Sequence, residues 1–148
     1  MTNYGRRLVF DANFETTVGL VCGAIRDEGL QTLTRTDVRE HFWRHLSRGI
    51  RHCMLIDAWS PDLALEAVQL DLEAGTTFPT RFVIYERPDG KTVVTATEPM
   101  APLADEPGWR ASAPALARIA DQERERIAHV FDRVTSHESR RAAAHPAA

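Results

Sequence analysis

Stretches in which apolar residues recur every three or four positions alternate along this chain with short runs of β-branched and aromatic residues. Residues 7–10, Arg-Leu-Val-Phe, read as a first short strand. Asp11 and Asn13 then offer side chains that can cap a helix, and Phe14, Val18, Val21, Cys22 and Ile25 fall on one helical face. Gly29 is placed to stop that helix in the left-handed conformation. Residues 30–38 alternate, with Leu30, Thr32, Thr34 and Thr36 on one side and Leu33 on the other, the pattern of a strand. A short helix over 37–47 follows, with Phe42, Leu46 and Trp43 on its apolar side. The favoured place for these three is the core; the alternative is a dimer patch on an exposed helix.

Residues 51–59 contain Cys53-Met54-Leu55-Ile56, an apolar run short enough for a central strand. Ser60 then stands as a cap, Pro61 suits the first helical position, and Asp62 and Glu66 favour the positive end of the helix dipole. This second main helix is predicted over 61–74, stopping at Gly75. Residues 82–86 and 92–96 form a hairpin around the turn Arg87-Pro88-Asp89-Gly90-Lys91. A Pro- and Ala-rich loop spans 99–114, and Leu116, Ile119, Ala120, Ile127, Val130, Phe131 and Val134 mark a long C-terminal amphipathic helix. Glu123 to Arg126 reads as its solvated side, and 137–148 as a frayed, disordered tail behind a single domain over 1–136.

The order predicts an α+β domain: a β-α-β-β-α-β-β core with a mainly antiparallel sheet, helices on one face and an added C-terminal helix. Composition changes this picture little. The 148 residues are 43% hydrophobic and 26% charged, ordinary values for one globular domain. The net charge of −3 argues against a general phosphate-binding surface, so no nucleic-acid partner is expected, although 18 Lys and Arg leave room for a local basic patch. No apolar stretch is long enough to span a bilayer and no signal peptide is recognisable, so the expectation is a cytoplasmic protein without a membrane partner. Cys22 and Cys53 have no disulfide-framework or metal-knuckle spacing and sit in apolar runs as small hydrophobes.

Six histidines raise haem or metal binding. His41 and His45 lie one helical turn apart and could face one ligand, with Asp37 or His52 as a third donor. Nothing in the spacing requires it, and two surface histidines on a polar face is the favoured reading. At Trp59-Ser60-Pro61-Asp62 the helix start could hold a small anion, but Asp57, Asp62 and Glu66 put negative charge nearby and Ser60 would use one N–H as cap. An ordinary capped helix is the simpler expectation.

Residues 14–100 resemble domain-of-unknown-function family 302, a group of small bacterial and archaeal α+β proteins. The carriers are Asp27-Glu28-Gly29-Leu30, Thr36-Asp37-Val38, Asp57-Ala58-Trp59-Ser60-Pro61 leading into Ala64-Leu65-Glu66-Ala67, Thr77-Phe78-Pro79-Thr80 and Glu98-Pro99. The resemblance implies the strand–helix–strand–strand–helix–strand–strand order and a homodimer; it implies no established reaction, and it treats the helix after Pro114 as an extension. Many members carry Cys-Asn-Pro at the second helix entry and Pro-Cys before the fourth strand. Here Trp59-Ser60-Pro61 and Pro79-Thr80 stand there, so any thiol chemistry at those positions is lost. The resemblance also implies that Trp59, Ser60, Pro79 and Thr80 converge at one sheet end, where a small molecule could bind. Three readings follow: a homodimer with a small-molecule pocket at these four residues, a haem or metal protein using His41 and His45, or a structural or protein-interaction domain.

Overall fold

The computed structural model describes residues 5–103 and 106–146. Its strands are β1 (Arg6–Phe10), β2 (Gln31–Asp37), β3 (Cys53–Trp59), β4 (Thr80–Glu86) and β5 (Thr92–Ala96). They form one sheet in the order β1-β5-β4-β3-β2, antiparallel throughout. The helices are α1 (Phe14–Asp27), α2 (Val38–Leu46), α3 (Pro61–Leu70), α4 (Trp109–Ser112) and α5 (Pro114–Ala144). The expected α+β architecture, with helices packed on an antiparallel sheet and a long C-terminal helix, is the one observed.

One face of the sheet makes the main core. Met54, Ile56, Phe82, Ile84 and Val94 project from it against Val18, Val21 and Ile25 of α1 and Ile127, Val130, Phe131 and Val134 of α5. Each fully buried Ile or Phe there contributes roughly 1.5–3 kcal/mol of transfer free energy. The start of α1 is fixed as its sequence suggests: the Asn13 side chain accepts from the Thr16 amide at 2.9 Å, and Gly29 follows the helix at φ +77°. α5 is tied to α1 by Arg133 and His129 on the Glu28 carboxylate. A second, smaller core joins α3 to α5 through Leu63, Ala64, Ala67, Phe78, Met100, Ile119 and Ala120.

Four expectations are corrected. The second main helix ends at Leu70, and a 3-10 turn over Leu72–Thr77 replaces its predicted last turn. Asp71 is the cause: its side chain accepts from the Glu73 amide at 2.9 Å, a local alternative to the helical bond. The 99–114 loop contains a 3-10 turn at Ala101–Leu103 and the short α4. The stretch expected to be a disordered tail is helical through Ala144; alanine is the best helix former, Arg140 and Arg141 suit the negative helix end, and Glu138 accepts from the Ala12 amide at 2.9 Å. The last two residues of that tail lie outside the described part. Finally, Phe42, Trp43 and Leu46 are not core: α2 buries no residue, and Trp43 and Leu46 are 64% and 62% exposed. α2 sits beside the ends of the edge strand β2 and its neighbour β3, so its apolar side meets no second layer.

Candidate functional site

Trp59 ends β3 and Thr80 begins β4, and the antiparallel register pairs Ala58 with Thr80. Trp59, Ser60, Pro79 and Thr80 therefore gather at one end of the sheet. The Phe78–Pro79 peptide is cis. Trp59 is half-buried against the α3–α5 core, and its indole N–H donates to Gln31 Oε1 at 3.2 Å. Ser60 and Thr80 are closed to solvent, at 0% and 3% exposure.

Ser60 does not cap α3 with its own side chain. Its hydroxyl donates instead to Oε2 of Glu123, and its amide N–H donates to Oε1 at 3.4 Å. Glu123 comes from the middle of α5 and is 0% exposed, so the residue assigned by sequence to a solvated face is the most buried acid described. A carboxylate supplied from another helix thus sits at the positive end of α3. The anion that this helix start could accept is the chain's own. Two residues further along α3 and three along α5, a second contact lies at the surface, where Arg126 donates to both oxygens of Asp62 at 2.8 and 3.0 Å.

The electrostatics follow from burial. Desolvation pushes the Glu123 carboxyl above the ordinary glutamate range, against the lowering effect of the Ser60 hydrogen bonds and of Arg126. Asp62, bonded to Arg126 near the surface, is held below the usual aspartate range. A buried serine beside a buried carboxylate has the elements of a nucleophile and base, but both are sealed from solvent, and hydrolytic chemistry needs a substrate within reach. The chemistry the arrangement supports is structural: a polar clamp between α3 and α5. Sequence reasoning missed Glu123 because it sits within a run of four charged residues; its place between Ala120 and Ile127 on the apolar stripe was the available signal.

The histidines do not form a ligand set. The His41 and His45 rings lie 4.4 Å apart on exposed α2, whereas His52 stacks on Phe14 at 5.0 Å and bonds to Arg39. Among the described residues, no group of three or more His, Cys, Asp or Glu is placed to hold a metal ion. Cys22 and Cys53 are free thiols, and burial, then the charge of Asp37, pushes Cys53 upward, away from a reactive thiolate.

On the second face of the sheet, Leu55, Val83, Tyr85 and Thr95, which alternate with the core residues, are half-buried and lie outside the core. Among them runs a bidentate ion pair, Arg81 to Asp57 at 2.8 and 2.9 Å, which holds Asp57 below the usual aspartate range.

An antiparallel sheet bearing α1 and α5 on one face, with a helix inserted before and after the third strand, defines a two-layer α+β domain. The model of domain of unknown function DUF302 matches residues 7–134, and the chain belongs to that family. The match takes in the buried part of α5, so that helix lies within the family's domain rather than extending it. The fold is similar to the crystal structure of an uncharacterized conserved DUF302 protein from Bacillus stearothermophilus, with a TM-score of 0.76 at 19% identity over 90% of this chain and 99% of that one. No curated protein matches. Among the described residues, no helix is long and apolar enough to cross a membrane.

Proposed function

We propose that this protein is a self-associating interaction domain that pairs with a second copy through the open face of its sheet. The observation that supports this reading is the half-buried apolar stripe of Leu55, Val83 and Tyr85 opposite the helical layer. A helix-covered antiparallel sheet commonly leaves one face to water, and that face is then polar; here Leu55, Val83 and Tyr85 share it with Thr95 and the Arg81–Asp57 pair. Five strands about 4.8 Å apart and some six residues long give a face on the order of 500 Å². Two copies face to face would bury on the order of 1,000 Å², the lower bound for a stable interface. The Arg81–Asp57 pair supplies both signs of charge on the same face, so a two-fold arrangement can match each to its opposite.

A small-molecule pocket at Trp59, Ser60, Pro79 and Thr80 has less support. A ligand reaching Ser60 would have to displace Glu123, leaving a buried carboxylate without its partner. For a metal centre at His41 and His45, no third His, Cys, Asp or Glu among the described residues is placed to join them.

Light scattering on the whole chain tests the proposal. The expected mass is twice that of the chain, falling to one chain in Leu55→Asp, whose half-exposed site tolerates the charge in the monomer. A monomeric wild-type protein, or a Leu55→Asp protein that remains dimeric, would overturn it.

A further inference from the structure

A different surface carries a second inference, which stands or falls separately from the pairing of sheet faces. Between Val38 and His52 the chain has four arginines, Arg39, Arg44, Arg48 and Arg51, and one acid, Glu40. With neutral histidines this segment is +3, whereas the chain as a whole is −3. Glu40 is paired with Arg44, and no ion pair joins Arg39, Arg48 or Arg51 to an acid among the described residues. The same segment exposes Phe42, Trp43, Leu46 and Ile50, at 38%, 64%, 62% and 41%. Val38, Phe42, Leu46 and Trp43 share one side of α2 with Arg39 among them, and Glu40, His41, Arg44 and His45 take the other.

We propose that α2 and the turn after it dock the protein on an anionic lipid surface. A short amphipathic helix with aromatic and leucine side chains on one side and arginines around them is the composition that lies in a headgroup layer. The apolar side chains enter the acyl boundary, and the guanidinium groups stay with the phosphates. No span is needed for this. No residue of α2 is buried, so Phe42, Trp43 and Leu46 can enter a soft layer without the helix having to leave the sheet. A second copy is a poor occupant: a two-fold contact through this patch would set Arg44, Arg48 and Arg51 against their own equivalents. Nucleic acid fits the charge but not Leu46 and Ile50, which would offer apolar surface to a phosphate backbone. Trp43 also lines a cleft of about 500 Å³ beside α2, but Arg39 and His52 there face Asp37 and Glu40, a mixed lining that does not select an anion, so recognition is assigned to the exposed surface.

Co-sedimentation of the whole chain with vesicles tests this. Binding is expected to phosphatidylcholine vesicles with about 30% phosphatidylserine and not to pure phosphatidylcholine, and to weaken as salt is raised. Arg44→Glu with Arg48→Glu should lower the affinity at least about tenfold, and Trp43→Ser with Leu46→Ser by a similar factor. Leu65→Ser, at an exposed leucine on α3, should leave it within about twofold. Since α2 has no buried side chain, these variants should keep the wild-type circular dichroism, which is checked first. Equal binding to both vesicle types, no binding to either, or full affinity in the α2 variants would overturn the proposal. Capture by polyglutamate or an oligonucleotide without vesicle binding would overturn it in favour of an acidic protein or a nucleic acid.

Discussion

α2 and α5 have the same sequence signature and opposite fates. Each repeats apolar residues at helical spacing against a charged side. α5 buries Ala117, Ile119, Ala120, Glu123, Ile127, Val130, Phe131 and Val134 against α1, α3, α4 and the sheet, whereas α2 buries nothing. Periodicity specifies which side of a helix is apolar; it does not specify whether a second layer exists to meet it. That depends on where the connection leaves the sheet. α5 returns across the helical face, while α2 fills a short link between the edge strand and its neighbour.

The largest effect should separate the two helices in stability. Phe131→Ala should cost about 3–5 kcal/mol in urea unfolding, the range for an aromatic lost from a packed core. Trp43→Ala should change it by no more than about 0.5 kcal/mol, as at other exposed positions. A large loss at Trp43 would mean that α2 is packed after all.

A smaller effect should come from the clamp between α3 and α5. Glu123→Ala leaves the Ser60 hydroxyl and amide without their acceptor and should cost about 1–3 kcal/mol. Glu123→Gln keeps an acceptor and a donor in the same place and removes the charge. The folded chain holds the Glu123 proton more tightly than the unfolded chain. Its contribution to stability is therefore fully present below the ordinary glutamate range and is lost as pH rises through the raised folded value. Glu123→Gln should gain on wild type as pH climbs across that window, measured as the difference in urea midpoints. A constant difference across the pH range would show that the carboxyl titrates alike in both states.

The smallest effects belong to the surface pairs. Arg126→Ala should cost at most about 1 kcal/mol, because Asp62 is largely exposed, and salt should shrink the difference. Asp57 has the opposite pH sign to Glu123. Its folded carboxyl is held low by Arg81, so its contribution is present above the ordinary aspartate range and fades as pH falls through the lowered value. Asp57→Asn should remove that acid-side loss, read from unfolding midpoints between neutral and acid pH.

Local chemistry made much of the fold legible. Asn13 and Gly29 bound α1, the Arg87–Lys91 turn joins β4 to β5, and the stripe from Ile119 to Val134 marks the buried side of α5. The gathering of Trp59, Ser60, Pro79 and Thr80 follows the resemblance, because neighbouring antiparallel strands put the end of one beside the start of the next. What sequence did not disclose depends on partners distant in the chain. Ser60 has the chemistry of a cap, and only the position of α5 shows that its hydroxyl goes to Glu123. Glu123 has the chemistry of a surface residue, and only the α3 helix start explains why an acid can be buried there. Asp71 falls inside the helix predicted over 61–74, yet its bond to the Glu73 amide ends that helix early.

On the proposed pairing, the two apolar surfaces differ in what covers them: a second copy on the sheet face, and no part of the protein on α2. Hydroxyl-radical footprinting across a concentration series reads both at once. Leu55, Val83 and Tyr85 should become protected as concentration rises, while Phe42 and Trp43 should react equally at every concentration. Protection that grows at Phe42 and Trp43, with Leu55, Val83 and Tyr85 unchanged, would contradict it.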